Sequence, residues 1–343
     1  MIWLLLACAK DVEETAQPIT DYSQAGPYQP AQRRITLDGE RPLTVEIWYP
    51  SEEAASGGPV AEVFLSDPER IAAYQSAMQG SCATEQTQAG WELQPLTTEQ
   101  PLLVFSHCHE CLRFSSFSVA EHLATWGFVV AAADHVGNSF WEKDTEQALG
   151  LNTDTLALRL SDQERVLDAL LSQDAVPVDP ERLAAFGHSF GSVTSGLLAQ
   201  EDLRIQGALG LAAPMENPLL PGVETSTLDK PLAILLAVED NSITALGNQL
   251  IVSNLEDAPN TTYRLDVADA GHWSVSDIAG IHPDVQAGCG SDERMTDGAD
   301  FEYLDPALGS AIAGHFTAAF MAELLLDDAG AVSAQDFDGA LVE

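Results

Sequence analysis

One pentapeptide constrains this chain more than any other feature. Residues 187–191 read Gly-His-Ser-Phe-Gly and directly follow the apolar run at residues 183–186. A strand that ends in Gly-x-Ser-x-Gly and leads into a helix holds the serine on a sharp, strained turn with its hydroxyl exposed. Glycine permits such a turn because it has no Cβ atom. The pattern predicts that Ser189 is a nucleophile at the carboxyl end of a strand.

The charge of the chain limits its partners. The 343 residues include 53 acidic and 14 basic side chains, a formal net charge of −39, and 45% are hydrophobic. Such a surface repels nucleic acid and anionic membranes, so we expect no nucleic-acid partner. The hydrophobic content is ample for a packed core. The sequence contains no run of 18 or more apolar residues, which is the pattern that predicts a membrane-spanning helix. We expect a monomeric or weakly associating protein with a highly hydrated surface suited to a salty environment.

The N-terminus predicts export. Residues 5–8 read Leu-Leu-Ala-Cys, which resembles the lipobox of a bacterial lipoprotein signal in which Cys8 is lipidated and becomes the first residue. The apolar stretch is short and no Lys or Arg precedes it, unlike an ordinary secretory signal, so a misassigned start is the alternative. Residues 9–32 are polar, contain proline and predict a tether. We expect an exported cell-envelope protein that touches the membrane only through a lipid anchor on Cys8.

The hydrophobic pattern predicts one α/β domain over residues 33–328, followed by an acidic tail at residues 329–343. Two strand-like runs on either side of a turn predict an antiparallel N-terminal hairpin. Apolar strands that alternate with helices predict a mostly parallel sheet with helices on both faces. The predicted hairpin arms are 34–37 and 43–49, the later strands 102–105, 128–133, 183–186, 205–212, 232–238 and 263–267, and the helices 68–78, 115–126, 155–171 and 242–255. A last helix at residues 306–325 is expected to pack against the sheet edge.

A nucleophilic serine predicts two partners further along the chain. Its hydroxyl is a weak nucleophile at neutral pH and needs a base, which in turn needs a carboxylate to orient it. In the chain order serine, acid, histidine, Asp240 follows Ser189 by 51 residues and His272 follows Asp240 by 32. Both come after apolar strands, and loops at the carboxyl ends of parallel strands converge on one face of a sheet. We therefore predict Ser189 as nucleophile, Asp240 as acid and His272 as general base.

Alternatives to two of these residues stay open. Glu239, Asp240 and Asn241 are contiguous, so an error of one residue would make Glu239 the acid. Among the other histidines, His282 in a loop flanked by proline is the runner-up base. The remaining six come too early in the chain order or lie in helices, where a partly buried structural histidine is the usual interpretation.

The segment after the first parallel strand has an unusual composition. Residues 106–111 read Ser-His-Cys-His-Glu-Cys. An oxyanion hole needs two donors, and we predict the backbone N–H groups of Phe190, next to the nucleophile, and of His109 in this segment. Two histidines and two cysteines also suit zinc, but the spacing is too tight for all four to reach one tetrahedral ion. We expect no metal and no cofactor. Export would instead allow disulfides, with three possible pairings among Cys82, Cys108, Cys111 and Cys289.

Several motifs together resemble a known family. Ser106-His107 followed by Arg113, residues 127–132 followed by Asp134-His135, and Gly-His-Trp-Ser at residues 271–274 accompany the pentapeptide. The combination resembles the bacterial platelet-activating-factor acetylhydrolase and dienelactone-hydrolase-like branch of the α/β-hydrolases, over residues 34–325. The resemblance implies the α/β-hydrolase fold and cleavage of carboxylic esters, small or lipid-like, through an acyl-serine without a cofactor. Cys108 stands where the branch usually has glycine, and no aspartate lies near residues 211–212, which favours Asp240.

Other functions use the same residues. The triad also suits amidase, peptidase or acyltransferase chemistry, because the fold does not determine the acceptor. A surface-anchored binding protein that retains the fold without catalysis is the alternative from another class. Residues 51–100 and 214–230 are expected to shape the substrate cleft.

Overall fold

The computed structural model describes residues 20–172, 175–337 and 341–342. Strands and helices alternate along most of this length, as the hydrophobic pattern predicts. The strands are β1 (Gln29–Leu37), β2 (Leu43–Ser51), β3 (Gly90–Trp91), β4 (Gln100–Ser106), β5 (Val129–Ala133), β6 (Val178–His188), β7 (Ile205–Leu211), β8 (Leu232–Ala237), β9 (Thr262–Val267), β10 (Ser291–Glu293), β11 (Asp300–Glu302) and β12 (Leu341–Val342). The helices are α1 (Val60–Phe64), α2 (Pro68–Met78), α3 (Phe117–Thr125), α4 (Thr153–Ser172), α5 (Phe190–Glu201), α6 (Thr244–Asp257) and α7 (Pro306–Leu325).

Ten of the described strands form one sheet, in the order β12-β9-β8-β7-β6-β4-β5-β2-β1-β3. The six central strands, from β9 to β5, pair in parallel. The predicted hairpin is present, with β1 and β2 antiparallel and β2 antiparallel to β5. The prediction of a mostly parallel sheet that begins with an antiparallel hairpin is therefore confirmed. Since parallel strands share one direction, the loops after β4, β6, β8 and β9 reach the same edge.

Helices cover both faces of the sheet. Helices α4, α5 and α6 pack over one apolar cluster, and α3 and α7 pack over the other. The prediction that α7 packs at the sheet edge is wrong, because it lies against α3 and across β6, β7 and β8. Among the described helices, α7 is the one long and apolar enough to cross a membrane, yet 78% of its apolar window is buried inside the protein. Its hydrophobic surface is used by the core.

Both ends of the described chain contribute to the fold beyond the predicted boundaries. Four residues of the predicted tether, 29–32, lie in β1. The buried Tyr22 ring packs at a tilt against the Trp126 ring, 4.6 Å between their centres, and its hydroxyl donates a hydrogen bond to Asp328. In the predicted acidic tail, Phe337 is buried and β12 pairs with β9. The reason is that a few aromatic and aliphatic side chains in these polar segments are buried by the core. Residues 1–19, with Cys8, lie outside the described residues.

The four remaining cysteines form two disulfides, Cys82–Cys289 and Cys108–Cys111. The first joins the segment after α2 to the loop before β10. The second closes a loop of four residues directly after β4. Of the three pairings that the sequence leaves open, the structure therefore has the one that joins the cysteines of residues 106–111 to each other.

Candidate active site

Ser189 lies on the turn between β6 and α5. Its backbone has φ 57° and ψ −117°, a strained conformation for a residue with a Cβ atom. The flanking glycines are required by close backbone contacts: a Cβ atom on Gly187 would lie 2.2 Å from the Gly191 carbonyl oxygen. A Cβ atom on Gly191 would lie 1.8 Å from the Ser106 carbonyl oxygen. The strained turn therefore depends on both glycines of the pentapeptide.

Three side chains from three different loops form one hydrogen-bonded chain. The Ser189 hydroxyl lies 2.8 Å from Nε2 of His272, and Nδ1 of His272 lies 2.7 Å from Oδ2 of Asp240. The other carboxylate oxygen of Asp240 accepts the backbone N–H groups of Ser242 and Ile243 at 2.9 and 3.0 Å. A proton on Nδ1 that faces the carboxylate leaves Nε2 able to accept the serine proton. The structure thus brings together the three residues that the sequence grouped.

The runner-up residues have other partners. Glu239 is buried and accepts hydrogen bonds from the backbone N–H and the hydroxyl of Thr296, in the connection between β10 and β11. His282 contacts Lys143 and Asp284 near the surface. Neither side chain takes part in the series of hydrogen bonds that links Asp240, His272 and Ser189. At the end of β8, the carboxylate that points toward His272 is that of Asp240, whereas that of Glu239 points toward Thr296.

His188 supports the loop that holds His272. Its Nε2 atom donates a hydrogen bond to the backbone carbonyl of His272 at 2.8 Å, and its ring lies 5.0 Å from the His272 ring. Burial, followed by the positive charge that His272 can carry, lowers the pKa of His188 well below its usual range. His188 therefore stays neutral beside the candidate base and does not compete with it for a proton.

The two predicted oxyanion donors lie beside the nucleophile. Phe190 is the first residue of α5, where a backbone N–H has no partner within the helix. His109 lies inside the loop closed by the Cys108–Cys111 disulfide, and its ring meets the Phe190 ring at 6.0 Å. Ser189, His109 and Phe190 all line one cavity. Their assignment as oxyanion donors stays a prediction.

The cluster at residues 106–111 does not form a metal site among the described residues. Cys108 and Cys111 are joined in a disulfide, and Nδ1 of His107 bonds the Cys108 carbonyl oxygen. Nε2 of His107 accepts the backbone N–H of His135. Burial lowers the pKa of His107 well below its usual range, and burial also lowers that of His109. Nowhere in the described ranges do three or more His, Cys, Asp or Glu side chains come together as a metal-binding group.

A cavity of about 420 Å³ opens from the Ser189 hydroxyl. Its walls come from residues 213–220 after β7, from α5 and from α6, and they are predominantly apolar. Three of its lining residues are strongly exposed leucines, which we call the apolar rim: Leu151, Leu219 and Leu246, at 52%, 84% and 64% exposure. Of residues 214–230, Pro214 and residues 217–220 line this cavity, whereas no residue of 51–100 does.

The sequence interpretation missed a buried polar group behind the site. Arg159 on α4 is 1% exposed and bonds Ser106, Asn138 and Thr194. The available signal was an arginine on the apolar face of a helix, since Leu156, Arg159 and Val166 share the buried side of α4. A charged residue is almost never fully buried unless its donors are paired, so its position on that face indicates a polar interior.

Comparisons with known proteins indicate the same fold as the structure does. The model of the prolyl oligopeptidase family matches residues 113–216, which include the Ser189 turn. A solved structure, ferulic acid esterase from Streptomyces cinnamoneus, superposes with a TM-score of 0.65 at 20% identity, covering 91% of this chain and 93% of that one. The chain has the α/β-hydrolase fold. Its central sheet, its serine turn and the extent of the superposition all fit that fold.

Among curated proteins, the chain is similar to platelet-activating factor acetylhydrolases. The dog protein is 24% identical over 212 residues and the bovine protein 25% identical over 211. Each alignment covers 49% of this chain and 46% of the relative. The matched part of the chain therefore spans about half the length of those relatives.

Proposed function

We propose that this α/β-hydrolase cleaves carboxylic esters through an acyl-serine intermediate. The observation that carries the proposal is the hydrogen-bonded series of side chains from the buried Asp240 through His272 to Ser189, with bonds of 2.7 and 2.8 Å. Such a chain supplies the base that a serine hydroxyl lacks at neutral pH. The names of the similar proteins, acetylhydrolases and a ferulic acid esterase, support an ester as the substrate.

In the first half of the reaction, Ser189 Oγ attacks the ester carbonyl carbon while its proton moves to His272 Nε2. Asp240 keeps the imidazole oriented and stabilises the imidazolium that forms. The negative charge on the carbonyl oxygen is stabilised by the backbone N–H groups of Phe190 and His109. The tetrahedral intermediate then collapses, the ester C–O bond breaks, and His272 returns the proton to the alcohol that leaves.

The second half repeats these roles with water. His272 takes a proton from water as its oxygen attacks the acyl-serine carbonyl, and the same N–H groups bind the oxyanion. The ester bond to Ser189 breaks, His272 protonates Oγ, and the carboxylic acid departs. Each proton taken by His272 is given back, so the cycle needs no metal or cofactor for its balance.

The cavity beside Ser189 supports esters with an apolar acyl or alcohol group. Its apolar walls would remove such a group from water, and each buried CH₂ contributes about 0.8 kcal/mol. The negative charge of the chain makes an anionic tail a poor occupant. We expect kcat/KM for p-nitrophenyl hexanoate to exceed that for the acetate roughly tenfold or more, if part of this gain reaches the transition state.

A substitution that fills the cavity tests this substrate class. Leu250 on α6 is half-buried and lines the cavity, so Leu250→Trp should lower kcat/KM for hexanoate severalfold while sparing the acetate. The neighbouring Gln249 is exposed and lies outside the cavity wall, which makes Gln249→Trp the matched control. Equal losses on both esters in the Leu250 variant would contradict this placement of the apolar group.

Amide hydrolysis is the second candidate, favoured by one observation. The prolyl oligopeptidase family model matches the segment that carries Ser189. The same triad can cleave amides, because the fold leaves the leaving group open. Turnover of matched p-nitrophenyl esters and p-nitroanilides by the purified protein separates the two activities.

We also propose that the protein is exported and anchored by lipid on Cys8. Two disulfides in the described chain support an oxidising compartment, because such bonds are rare in the cytosol. The expected result is a mature protein that begins at Cys8 and carries diacylglycerol on its thiol, detected by mass spectrometry of the membrane fraction. A mature N-terminus that retains residues 1–7, or an unmodified thiol, would contradict the anchor.

A further inference from the structure

Arg159 occupies a buried position between the two loops that carry the oxyanion donors. Its guanidinium donates to the Ser106 hydroxyl at 2.9 Å and to the carbonyl oxygen of His107. These acceptors lie at the end of β4, directly before the disulfide loop. One end of the guanidinium therefore holds the chain that leads into His109.

The same guanidinium fixes the first turn of α5. Its Cζ atom lies 4.5 Å from the centre of the Phe190 ring, which is a cation–π distance, and Nε donates to the Thr194 hydroxyl at 3.0 Å. The Thr194 hydroxyl donates in turn to the Phe190 carbonyl oxygen at 2.9 Å. Arg159 thus contacts both the side chain and, through Thr194, the backbone of the residue next to the nucleophile.

A third branch runs through Asn138 to His109. Arg159 donates to Oδ1 of Asn138 at 2.6 Å, and the Asn138 amide donates to Nδ1 of His109 at 2.7 Å. Asn138 also donates to the Leu149 carbonyl oxygen at 3.1 Å. The His109 ring is therefore tied to the same cation as the Phe190 ring.

A hydrogen-bond relay links Arg159 to Asp162, whose carboxylate also pairs with Arg41 at 2.8 Å. The Ser106 hydroxyl, which accepts from Arg159, donates to Nε2 of His135 at 3.0 Å, and Nδ1 of His135 donates to Asp162 at 3.1 Å. Burial lowers the pKa of Arg159 to about 9, so the guanidinium stays charged at neutral pH. Burial also lowers the pKa of His135 well below its usual range, and the neutral ring can then accept from Ser106 and donate to Asp162. The relay has one consistent hydrogen-bond direction.

From these contacts we propose that Arg159 is a positioning residue that sets the distance between the N–H groups of Phe190 and His109, an inference that rests on the proposed function. It touches neither Ser189 nor the cavity. Its effect is on the oxyanion hole alone, because its contacts converge on the two donors and none reaches His272 or Asp240. Donors held in place before the reaction stabilise the developing charge without the cost of reorganisation.

The test separates stabilisation of the oxyanion from binding of the substrate. Arg159→Met keeps an unbranched, flexible stem but removes the guanidinium, with its five donors and its charge. We expect kcat to fall roughly 100-fold with KM within about threefold, since misplaced donors weaken the transition state more than the ground state. Affinity for a trifluoromethyl ketone, whose adduct with Ser189 carries an oxyanion, should fall by a similar factor. Arg159→Lys should recover part of both losses.

Two further variants keep the test decisive. Arg204 follows α5, is exposed and bonds Asp168 and Asp202 at the surface, so Arg204→Met is the matched control with unchanged kcat. Asn138→Ala leaves the cation in place and cuts the branch to His109, together with the bond to the Leu149 carbonyl oxygen, with an expected loss of about tenfold in kcat. If Arg159→Met does not fold, Asn138→Ala decides in its place.

Each failure has a distinct signature. A native protein without ester turnover would overturn the proposed function. A native protein that is active, with a folded Arg159→Met variant of equal kcat or of undiminished trifluoromethyl ketone affinity, would overturn only the role of Arg159. An Asn138→Ala variant as active as the native protein would contradict the branch to His109.

Discussion

Ser189→Ala is expected to lower kcat for p-nitrophenyl ester hydrolysis by roughly 10⁴- to 10⁶-fold. The physical reason is that the variant loses the atom that forms the acyl bond, while His272, Asp240 and the oxyanion donors remain in place. KM should change little, because the cavity that binds the apolar group is untouched. Initial rates under saturating substrate, with the variant freed of native contamination, measure the effect.

A matched control and a chemical probe complete this experiment. Ser195 is buried in α5, the helix that follows Ser189, and has no hydrogen bond to Ser189, His272 or Asp240, so Ser195→Ala should retain native turnover. A fluorophosphonate should label the native protein once, at Ser189, and should not label Ser189→Ala. Full activity in Ser189→Ala would refute the mechanism. A folded native protein that neither turns over esters nor reacts with the probe would favour a non-catalytic binding protein.

Asp240→Asn is expected to lower kcat by about 10⁴-fold at neutral pH. An asparagine amide in this position can donate to Nδ1 of His272, which places the ring proton on Nε2. Nε2 then faces the Ser189 hydroxyl as a donor and cannot accept its proton. The fold should persist, because the asparagine carbonyl oxygen can still accept the N–H groups of Ser242 and Ile243.

Glu239→Gln is the matched control for Asp240→Asn. Both positions are buried and adjacent, and both substitutions exchange a carboxylate for its amide. Glu239 bonds Thr296 and not His272, so kcat should stay within about threefold of native, even if the melting temperature falls. A large loss in Glu239→Gln together with native activity in Asp240→Asn would reverse the assignment of the acid.

The parts of the fold that local patterns encode could be predicted from the sequence. Buried parallel strands are continuous apolar runs, and the predicted strands at 102–105 and 183–186 lie within β4 and β6. Helices α2 and α7 have the predicted bounds, because each begins with an aspartate cap followed by proline. The turn at Ser189 is equally local, since its two glycines and its serine are contiguous.

Features that depend on contacts between distant segments could not be predicted. Glu239 and Asp240 are neighbours with the same chemistry, and only the position of the β9 loop decides which carboxylate meets His272. The place of α7 on a face of the sheet, and the burial of Phe337 beyond it, follow from how the core closes. Arg159 gave a local signal but no indication of its partners, which lie up to 53 residues away.

By itself, the sequence determined that the chain alternates strands and helices, that Ser189 stands on a strained turn and that an acid and a histidine follow in order. Backbone geometry and hydrophobic periodicity encode these features within a few residues. Only the tertiary structure decided which acid bonds His272, where the apolar cavity opens and how Arg159 joins the two oxyanion loops. Those outcomes depend on contacts between side chains that are remote in sequence. Such contacts form only once the sheet has brought its loops to one edge.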